Sequence, residues 1–407
     1  MGAVAWRAHD LTEAQRKRGL FAILYYVISG NLGFFLTVPL VVVHFVDNLG
    51  WPAGTVGFAL AARLVVQQVL MLFGGAAADR FGPKALLIIG VLMRGLGFGL
   101  IGWADTPALL VAVMVLAGLG GAMGDAPRGA AIAHLTEEKQ RRRFFGIMAI
   151  YAAVGTAVGP LVGVALLALD FRFATALTGG VYALTAIVLL FLLPRFPRPK
   201  SGEGHLLAGV GLALRHRSFM IYTALSIGFW FCAVQLTISV PLAATALGGN
   251  SSVSLVYLVS AALVMGLQYP VLLVVSRYLS PLASFAGGIG LMAAGLILIA
   301  LASGVASLLL CIGVYTLGSM LANPNSQTVT AEFGTPATYG SYFGVAALAG
   351  ALGGGLGQVA GGALYEVGQA TGAIWLPWVI FGVAGMASAA GMALLSRKVG
   401  PELSSSR

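Results

Sequence analysis

The sequence contains few charged residues: Asp, Glu, Lys and Arg make up 9% of its 407 residues, whereas hydrophobic residues make up 59%. About a quarter of the residues in an average soluble domain are charged. A composition this apolar excludes an ordinary water-soluble fold and indicates an integral membrane protein. We therefore interpret the net charge of +10 as a signal of membrane topology, and we expect no nucleic-acid partner.

The sequence also has only two cysteines and no nucleotide-binding loop of the common type. The two cysteines, Cys232 and Cys311, lie within apolar runs, so we expect neither a disulfide nor a metal site. The sequence has no G-x-x-x-x-G-K-[ST] loop, which argues against ATP as an energy source. It also offers no Ser/His/Asp or paired-carboxylate set, so it predicts neither an enzyme nor a cofactor.

Twelve continuous apolar segments are present, each long enough to cross a bilayer as a helix. They are approximately Gly19–Phe45, Pro52–Ala78, Ala85–Trp103, Pro107–Leu135, Phe144–Leu169, Phe173–Leu193, Phe219–Leu247, Ser252–Val275, Pro281–Ala302, Val305–Thr330, Tyr342–Tyr365 and Trp375–Leu395. A stretch rich in proline and charge, from Pro194 to Lys200, separates six segments from the other six. We expect an N-terminal bundle at 1–193, a cytoplasmic linker at 194–218 and a C-terminal bundle at 219–407. Within the linker, Leu206–Leu214 fits either a short interfacial helix or a solvated loop.

The two halves of the sequence resemble each other. Gly121-Ala-Met-x-x-x-Pro127 in the fourth segment recurs as Gly318-Ser-Met-x-x-x-Pro324 in the tenth, at an offset of 197 residues. Three glycines of segment five reappear in segment eleven, at a similar offset. The sequence therefore predicts an all-α integral membrane protein of twelve transmembrane helices in two pseudo-symmetric six-helix bundles.

Basic residues are distributed unevenly between the loops. If the amino end is cytoplasmic, 19 of the 23 Lys and Arg residues fall on the cytoplasmic side and Arg172 falls on the other. The remaining three, Arg63, Arg94 and Arg128, lie within predicted spans. The positive-inside rule then predicts that both termini are cytoplasmic.

A charged motif separates segments two and three and predicts a short turn at the membrane rim. It reads Gly75-Ala-Ala-Ala-Asp79-Arg80-Phe-Gly82-Pro-Lys84. This G-x-x-x-D-R-x-G-x-K pattern resembles the signature of the major facilitator superfamily, which implies that family's fold and transport by alternating access. Asp79 is then expected to pair with an arginine of the next cytoplasmic loop or to cap the helix near Gly340 and Ser341. The implied gating residues are Asp79, Arg80, Gly82, Lys84, Arg141, Arg142 and Arg143.

Segment five contains a glycine motif, Gly155-Thr-Ala-Val-Gly159-Pro160-Leu-Val-Gly163. It is similar to the G-x-x-x-G-P-x-x-G motif in the antiporter branch of the superfamily. Small residues four positions apart form a flat helix face, and we expect Pro160 to kink the helix at a contact between the two halves. The alternative is ordinary glycine-rich packing with no bearing on transport direction.

Over most of its first half the chain resembles a subgroup of the superfamily, the MdtH-type multidrug exporters. The likeness includes Gly33-Phe34-Phe35, Gln67-Gln68, Leu92-Met93-Arg94 and Asp125-x-Pro127-Arg128. It implies proton-coupled export of amphipathic small molecules across the inner membrane of a bacterium, with membrane lipid as a partner, by a protein that we expect to be monomeric. Translocation of a lipid or lysolipid and transport of an organic anion remain alternatives, favoured by the positive charges within the spans.

Many drug–proton antiporters carry an acidic residue in their first helix, but the first segment of this chain contains no Asp or Glu. Asp125 is the only carboxylate well inside a predicted span, so we expect Asp125 and Arg128 to couple proton movement; a purely structural ion pair is the alternative. For Arg94 we expect a packing or snorkelling role on the outside of the bundle. The expected cavity residues are Tyr25, Tyr26, Asn31, Phe34, Arg63, Gln67, Phe229, Trp230 and Gln235.

Overall fold

The computed structural model describes residues 11–136, 138–167, 169–196, 205–334 and 338–405. Within them all regular structure is helical. Twelve helical segments in this described part are long and apolar enough to cross a membrane, which confirms the predicted class. The residues fall into two compact units, one within 1–37 and 73–203 and the other within 38–72 and 204–407. Because the second unit includes part of helices one and two, the proposed division of the sequence at 194–218 stays a prediction.

Fifteen α-helices make up the described chain. They are α1 Glu13–Val42, α2 Ala53–Phe81, α3 Pro83–Leu100, α4 Pro107–Leu135, α5 Glu138–Leu167, α6 Phe171–Leu192, α7 His205–Arg215, α8 Arg217–Ala233, α9 Ser239–Gly248, α10 Asn250–Val275, α11 Pro281–Ile299, α12 Val305–Phe333, α13 Tyr339–Ala349, α14 Gly355–Thr371 and α15 Leu376–Ser405. Helix α7 shows that the residues expected to form either a short helix or a loop are helical.

Two of the twelve spans are built from more than one helix. The seventh joins α8 to α9 through a 3₁₀ turn at Val234–Thr237, and the eleventh joins α13 to α14 through a π-helical turn at Gly350–Gly354. A further π-helical turn, Val43–Asn48, ends the first span. Such turns change the register of the side chains along a helix without exposing its backbone to lipid.

The connection between α2 and α3 is tighter than the sequence predicted. We expected a charged turn that included Asp79 and Arg80, but both residues belong to the last turn of α2. The break in the helix is Gly82, whose φ of 83° lies in a region that side chains disfavour. Pro83 then begins α3, because a proline at the first helical position sacrifices no hydrogen bond.

Glycine pairs allow close helix contacts in both units, at equivalent positions. In one unit, a Cβ on Gly90 of α3 would lie 2.7 Å from the carbonyl oxygen of Gly120 in α4. In the other, a Cβ on Gly288 of α11 would lie 2.8 Å from the carbonyl oxygen of Gly318 in α12. Both glycines of the second pair stand 198 positions after those of the first. The helix–helix contact is therefore repeated in both units, one residue out of register with the sequence match of Gly121 to Gly318 at an offset of 197.

Small polar side chains also join the helices. Between α1 and α6, the hydroxyl groups of Thr37 and Thr178 lie 2.7 Å apart, and Thr185 donates to Ser29 at 2.8 Å. In the other unit, Ser388 of α15 donates to the carbonyl oxygen of Leu225 at 2.7 Å. Such bonds contribute to helix association in lipid, where burial of apolar surface provides little driving force.

Candidate functional site

A buried ionic cluster in the first unit centres on Asp125 of α4. Its Oδ1 lies 3.2 Å from Nη1 of Arg128, one helical turn further along α4, and its Oδ2 lies 3.0 Å from Nη2 of Arg94 in α3. The phenol of Tyr26 in α1 donates to the same Oδ1 at 3.3 Å. One carboxylate therefore connects three helices.

The side chains of this cluster are largely removed from solvent. Asp125 is 16% exposed and Arg94 is 13% exposed, whereas Arg128 is 34% exposed. A charge at the centre of a bilayer costs about 2.5–3.5 kcal/mol on insertion scales, so opposite charges in direct contact lower the cost of both. The greater exposure of Arg128 makes it the member of the cluster that water or a ligand reaches most readily.

The expectation for Arg94 was wrong. We expected it to pack or snorkel on the outside of the bundle, but it forms an ion pair with Asp125. The close approach of α3 and α4 explains this: a Cβ on Gly120 would collide with the backbone of Arg94. With no Cβ at Gly120, α3 lies near enough to α4 for the guanidinium to reach Asp125. The sequence did contain a signal, because Asp125 is the only acid at that depth and a buried arginine needs a counter-charge.

The glycine motif of segment five lies against α1. A Cβ on Gly155 would lie 2.7 Å from the carbonyl oxygen of Ile28, and one on Gly159 would lie 2.9 Å from that of Leu32. Helix α5 runs without a break through Pro160. The expected close helix face is therefore present. Its contact is with α1, a helix of the same half of the sequence, whereas we expected a contact between the two halves.

The corresponding glycines of segment eleven make the equivalent contact in the other unit. A Cβ on Gly353 would collide with the carbonyl group of Ile227 in α8, and one on Gly357 of α14 would lie 2.8 Å from the carbonyl oxygen of Phe231. The repeat thus preserves how the fifth and eleventh spans pack, each against the first span of its own half.

A second polar group lies in the other unit, on α2. Nη1 of Arg63 donates to Oε1 of Gln67 at 2.9 Å, and Arg63 is 5% exposed. The two side chains therefore form a polar pair one helical turn apart. Whether the pair faces a substrate cavity stays a prediction.

Helix α2 packs closely on α14 at the end where α2 begins. The backbone N–H of Gly54 donates to Oε1 of Glu366 at 2.8 Å, and a Cβ on Gly362 would lie 2.8 Å from the nitrogen of Gly54. A carboxylate at a helix N-terminus stabilises that end by about 0.3–1 kcal/mol. Segment two of the first half is thereby held against segment eleven of the second.

The side chains expected to line a cavity lie in different environments. Phe229 is fully buried against Phe285, and Gln235 is fully buried with its amide donating to the carbonyl oxygens of Phe231 and Gly357. These two therefore pack in the core of their unit. Tyr26 is buried within the ionic cluster. The partly exposed members are Tyr25, Asn31, Phe34, Gln67 and Trp230.

The structure describes the side chains of only some of the expected gating residues. The side chains of Asp79, Arg80, Arg141, Arg142 and Arg143 lie outside the described part of the chain. The ammonium group of Lys84 donates to the carbonyl oxygens of Leu190 and Leu193, at 2.7 and 2.5 Å. Lys84 thus caps the end of α6, where the partial negative charge of the helix favours a cation.

Comparison with known proteins gives consistent results. A model of the Major Facilitator Superfamily matches residues 23–358. The multidrug resistance protein MdtH of Yersinia pestis (strain Pestoides F) is 35% identical over 383 residues, which are 94% of this chain and 95% of that protein. The MdtH protein of Yersinia pseudotuberculosis (serotype O:1b) matches equally well.

A solved structure shares the fold at low sequence identity. It is the crystal structure of a POT family transporter in complex with a thioalcohol-conjugated peptide, with a TM-score of 0.79 and 14% identity. The match covers 95% of this chain and 96% of that one. Together with the twelve membrane helices and the repeated packing described above, these matches establish that the chain belongs to the Major Facilitator Superfamily.

Proposed function

We propose that this protein is a secondary active transporter that exports amphipathic small molecules in exchange for protons. The similarity to proteins named for multidrug resistance supports export of varied compounds. The excess of Lys and Arg on one side supports a cytoplasmic location for both termini. We place the protein, as a monomer, in the inner membrane of a bacterium.

The observation that carries the proposal of proton coupling is the position of Asp125. The carboxylate lies within a membrane span, contacts Arg94 and Arg128, and accepts a hydrogen bond from Tyr26 of another helix. A proton on this carboxylate removes its charge and weakens both ion pairs at once. The two guanidinium groups then repel each other, which favours a different arrangement of α1, α3 and α4.

Exchange follows if the two arrangements expose Asp125 to opposite sides of the membrane. In one, the carboxylate is ionised and paired with the arginines. In the other, it is protonated and unpaired, and the proton leaves when the pairs form again. Arg128 is the more exposed of the two arginines, so we propose that this pair separates first. The glycine motif at Gly155, Gly159, Pro160 and Gly163 keeps α5 close to α1 during the change.

The contact between α2 and α14 supports alternating access. Glycines bring the two helices together where α2 begins, and Glu366 binds the exposed N–H group of Gly54. For that end of the pathway to open, this contact has to separate. We propose that the charged motif at the other end of α2, with Asp79, Arg80, Gly82, Lys84 and the arginines at 141–143, acts as the opposing gate.

Substitution of Gly362 by Leu is expected to favour the state in which α2 and α14 are apart, because the side chain would overlap the backbone of Ala53 and Gly54. Spin labels at the exposed positions Phe58 and Leu356 should show a longer distance in the variant. Gly266→Leu in α10 is the control, since a Cβ there meets nothing within 4 Å. An unchanged distance in the Gly362 variant would mean that this contact is not part of a gate.

For the substrate, we propose contacts with the partly exposed side chains of α1, α2 and α8. Tyr25, Phe34 and Trp230 offer aromatic surface, and Asn31 and Gln67 offer hydrogen bonds. Arg63, beside Gln67, adds a positive charge. This combination suits compounds that are mostly apolar and carry a few polar groups.

Transport of an organic anion or a lysolipid is the second candidate function. The observation that favours it is the composition of the ionic cluster, in which two described arginines contact one carboxylate. A cluster with an excess of positive charge could receive a phosphate or carboxylate group.

Ligand-induced thermal stabilisation separates the two candidates. We expect cationic amphipathic dyes to raise the melting temperature of the purified protein in a concentration-dependent way, since a ligand that binds only the folded state stabilises it. Lysophospholipids and organic anions should have smaller effects. The opposite order would reject drug export in favour of the second candidate.

A further inference from the structure

A groove runs along the outer surface of the first unit between α3 and α6. Its volume is about 290 Å³, and its floor consists of Gly95, Gly99 and Gly179. The missing side chains bring the two helices close together: a Cβ on Gly99 would lie 3.3 Å from the Cα of Gly179. The walls include Leu96, Trp103 and Ala183, which are exposed. Because both helices are membrane spans, the groove opens towards the lipid.

The length of the groove matches one leaflet of a bilayer. It extends along the chain from Leu92 to Trp103, which corresponds to about 16 Å of helix. The hydrocarbon core of a bilayer is about 30 Å thick, so one leaflet contributes about half of that. Trp103 stands at the end of the groove, and tryptophan favours the boundary between acyl chains and headgroups.

Charged side chains lie at this same end. Nε of Arg172 donates to the carbonyl oxygen of Gly102 at 3.2 Å, which fixes the guanidinium beside Trp103. Nη2 of Arg172 lies 3.8 Å from Oδ1 of Asp105, and the two side chains are 56% and 80% exposed. Asp170 is also nearby, but its carboxylate accepts from the backbone N–H of Arg172 and caps α6. The rim thus offers one accessible cation and one accessible anion to a ligand.

We propose that this groove binds a phosphatidylethanolamine molecule, with one acyl chain along the glycine floor, the phosphate on Arg172 and the ammonium group on Asp105. An anionic lipid fits less well, since Asp105 and Asp170 outnumber Arg172. A choline headgroup has no N–H to donate to Asp105, whereas ethanolamine forms a charge-assisted hydrogen bond there. The groove lies on the lipid-facing surface and the assignment does not depend on which substrate the protein transports.

The test is native mass spectrometry of the delipidated full chain after incubation with equal amounts of the palmitoyl-oleoyl forms of phosphatidylethanolamine, phosphatidylglycerol and phosphatidylcholine. We expect the wild type to retain one phosphatidylethanolamine. Ala183→Phe should lower that occupancy more than about tenfold, because the ring fills the groove and displaces many methylene groups. Ala387→Phe, at an exposed position of α15, should leave it unchanged.

The headgroup assignment makes a separate prediction. Arg172→Gln should weaken binding of all three lipids by about fivefold, as expected for one arginine at the membrane surface. Asp105→Asn should instead remove the preference for phosphatidylethanolamine over phosphatidylcholine. Arg277→Gln, at an exposed position of the other unit, is the matched control.

Several outcomes would overturn the proposal. Equal retention of the three lipids by the wild type would reject the headgroup contacts, and full retention by Ala183→Phe would reject the groove. A dimer that Ala183→Phe dissociates would show that a second copy of the chain covers the groove instead. Melting curves establish that each variant is folded, and Ala176→Phe, at another exposed groove position, replaces Ala183→Phe if that variant is not.

Discussion

Asp125→Asn is expected to abolish transport driven by a pH gradient while preserving exchange of substrate across the membrane without a gradient. The amide cannot carry the proton, but it is close in size to the carboxylate and can still accept the hydrogen bond of Tyr26. Both activities can be measured in the same reconstituted vesicles, as uptake after a pH jump and as counterflow of labelled substrate. Loss of the first activity alone would assign the proton to Asp125.

A purely structural role for Asp125 makes a different prediction. Removing one partner of a buried ion pair costs about 3–5 kcal/mol, because the other charge stays buried without compensation. The single variant is then expected to be less stable for reasons unrelated to protons. The double variant Asp125→Asn with Arg94→Gln removes the carboxylate together with its partner at 3.0 Å, and should recover much of that stability.

The double variant therefore separates the two roles of Asp125. If the pair only holds α3 against α4, the double variant should regain gradient-driven transport along with its stability. If Asp125 carries the proton, the double variant should be stable but still uncoupled. Glu332→Gln changes a carboxylate at the end of α12 and should retain proton coupling. If Glu332→Gln lost coupling while Asp125→Asn kept it, the proton site would be Glu332.

Gly159→Leu is expected to abolish transport of every substrate without preventing insertion into the membrane. A Cβ at this position would lie 2.9 Å from both the carbonyl oxygen of Leu32 and the backbone nitrogen of Leu36. A leucine would therefore force α5 away from α1, the helix that carries Tyr26. Because backbone atoms cannot move aside as side chains do, the whole contact has to open.

The measurements for Gly159→Leu are membrane yield, melting temperature and counterflow. Gly180→Leu in α6 is the matched control, since a Cβ there meets nothing within 4 Å. We expect the control to insert, to melt near the wild-type temperature and to transport. Wild-type counterflow in the Gly159 variant would show that α5 and α1 tolerate separation and that the motif is not required for the transport cycle.

The sequence predicted most of the fold because its signals are strong in a membrane. Continuous apolar runs specify spans, since an α-helix satisfies all of its backbone groups internally in lipid. Repeated glycines specified the internal duplication, and the structure shows the equivalent contacts Gly90–Gly120 and Gly288–Gly318. Hydropathy does not resolve local breaks, so the π-helical turn at Gly350–Gly354 and the extension of α2 through Asp79 were not anticipated.

The candidate site was only partly predictable. Asp125 and Arg128 lie three residues apart on one helix, so their pairing follows from helix geometry. The pairing of Asp125 with Arg94 depends on how closely α3 approaches α4, which is a tertiary property. The burial of Phe229 and Gln235 was not predictable for the same reason: helix identity alone does not say which face of a span points into the core.

In the proposed exchange, substrate and protons move in opposite directions. The most direct measurement uses sealed vesicles that contain the wild-type protein and a pH-sensitive dye, to which a cationic amphipathic substrate is added without any imposed gradient. As substrate enters, we expect the lumen to become more alkaline in the wild type and to stay at constant pH with Asp125→Asn. Substrate entry in the wild type with no change in luminal pH, or with acidification, would contradict the proposed exchange.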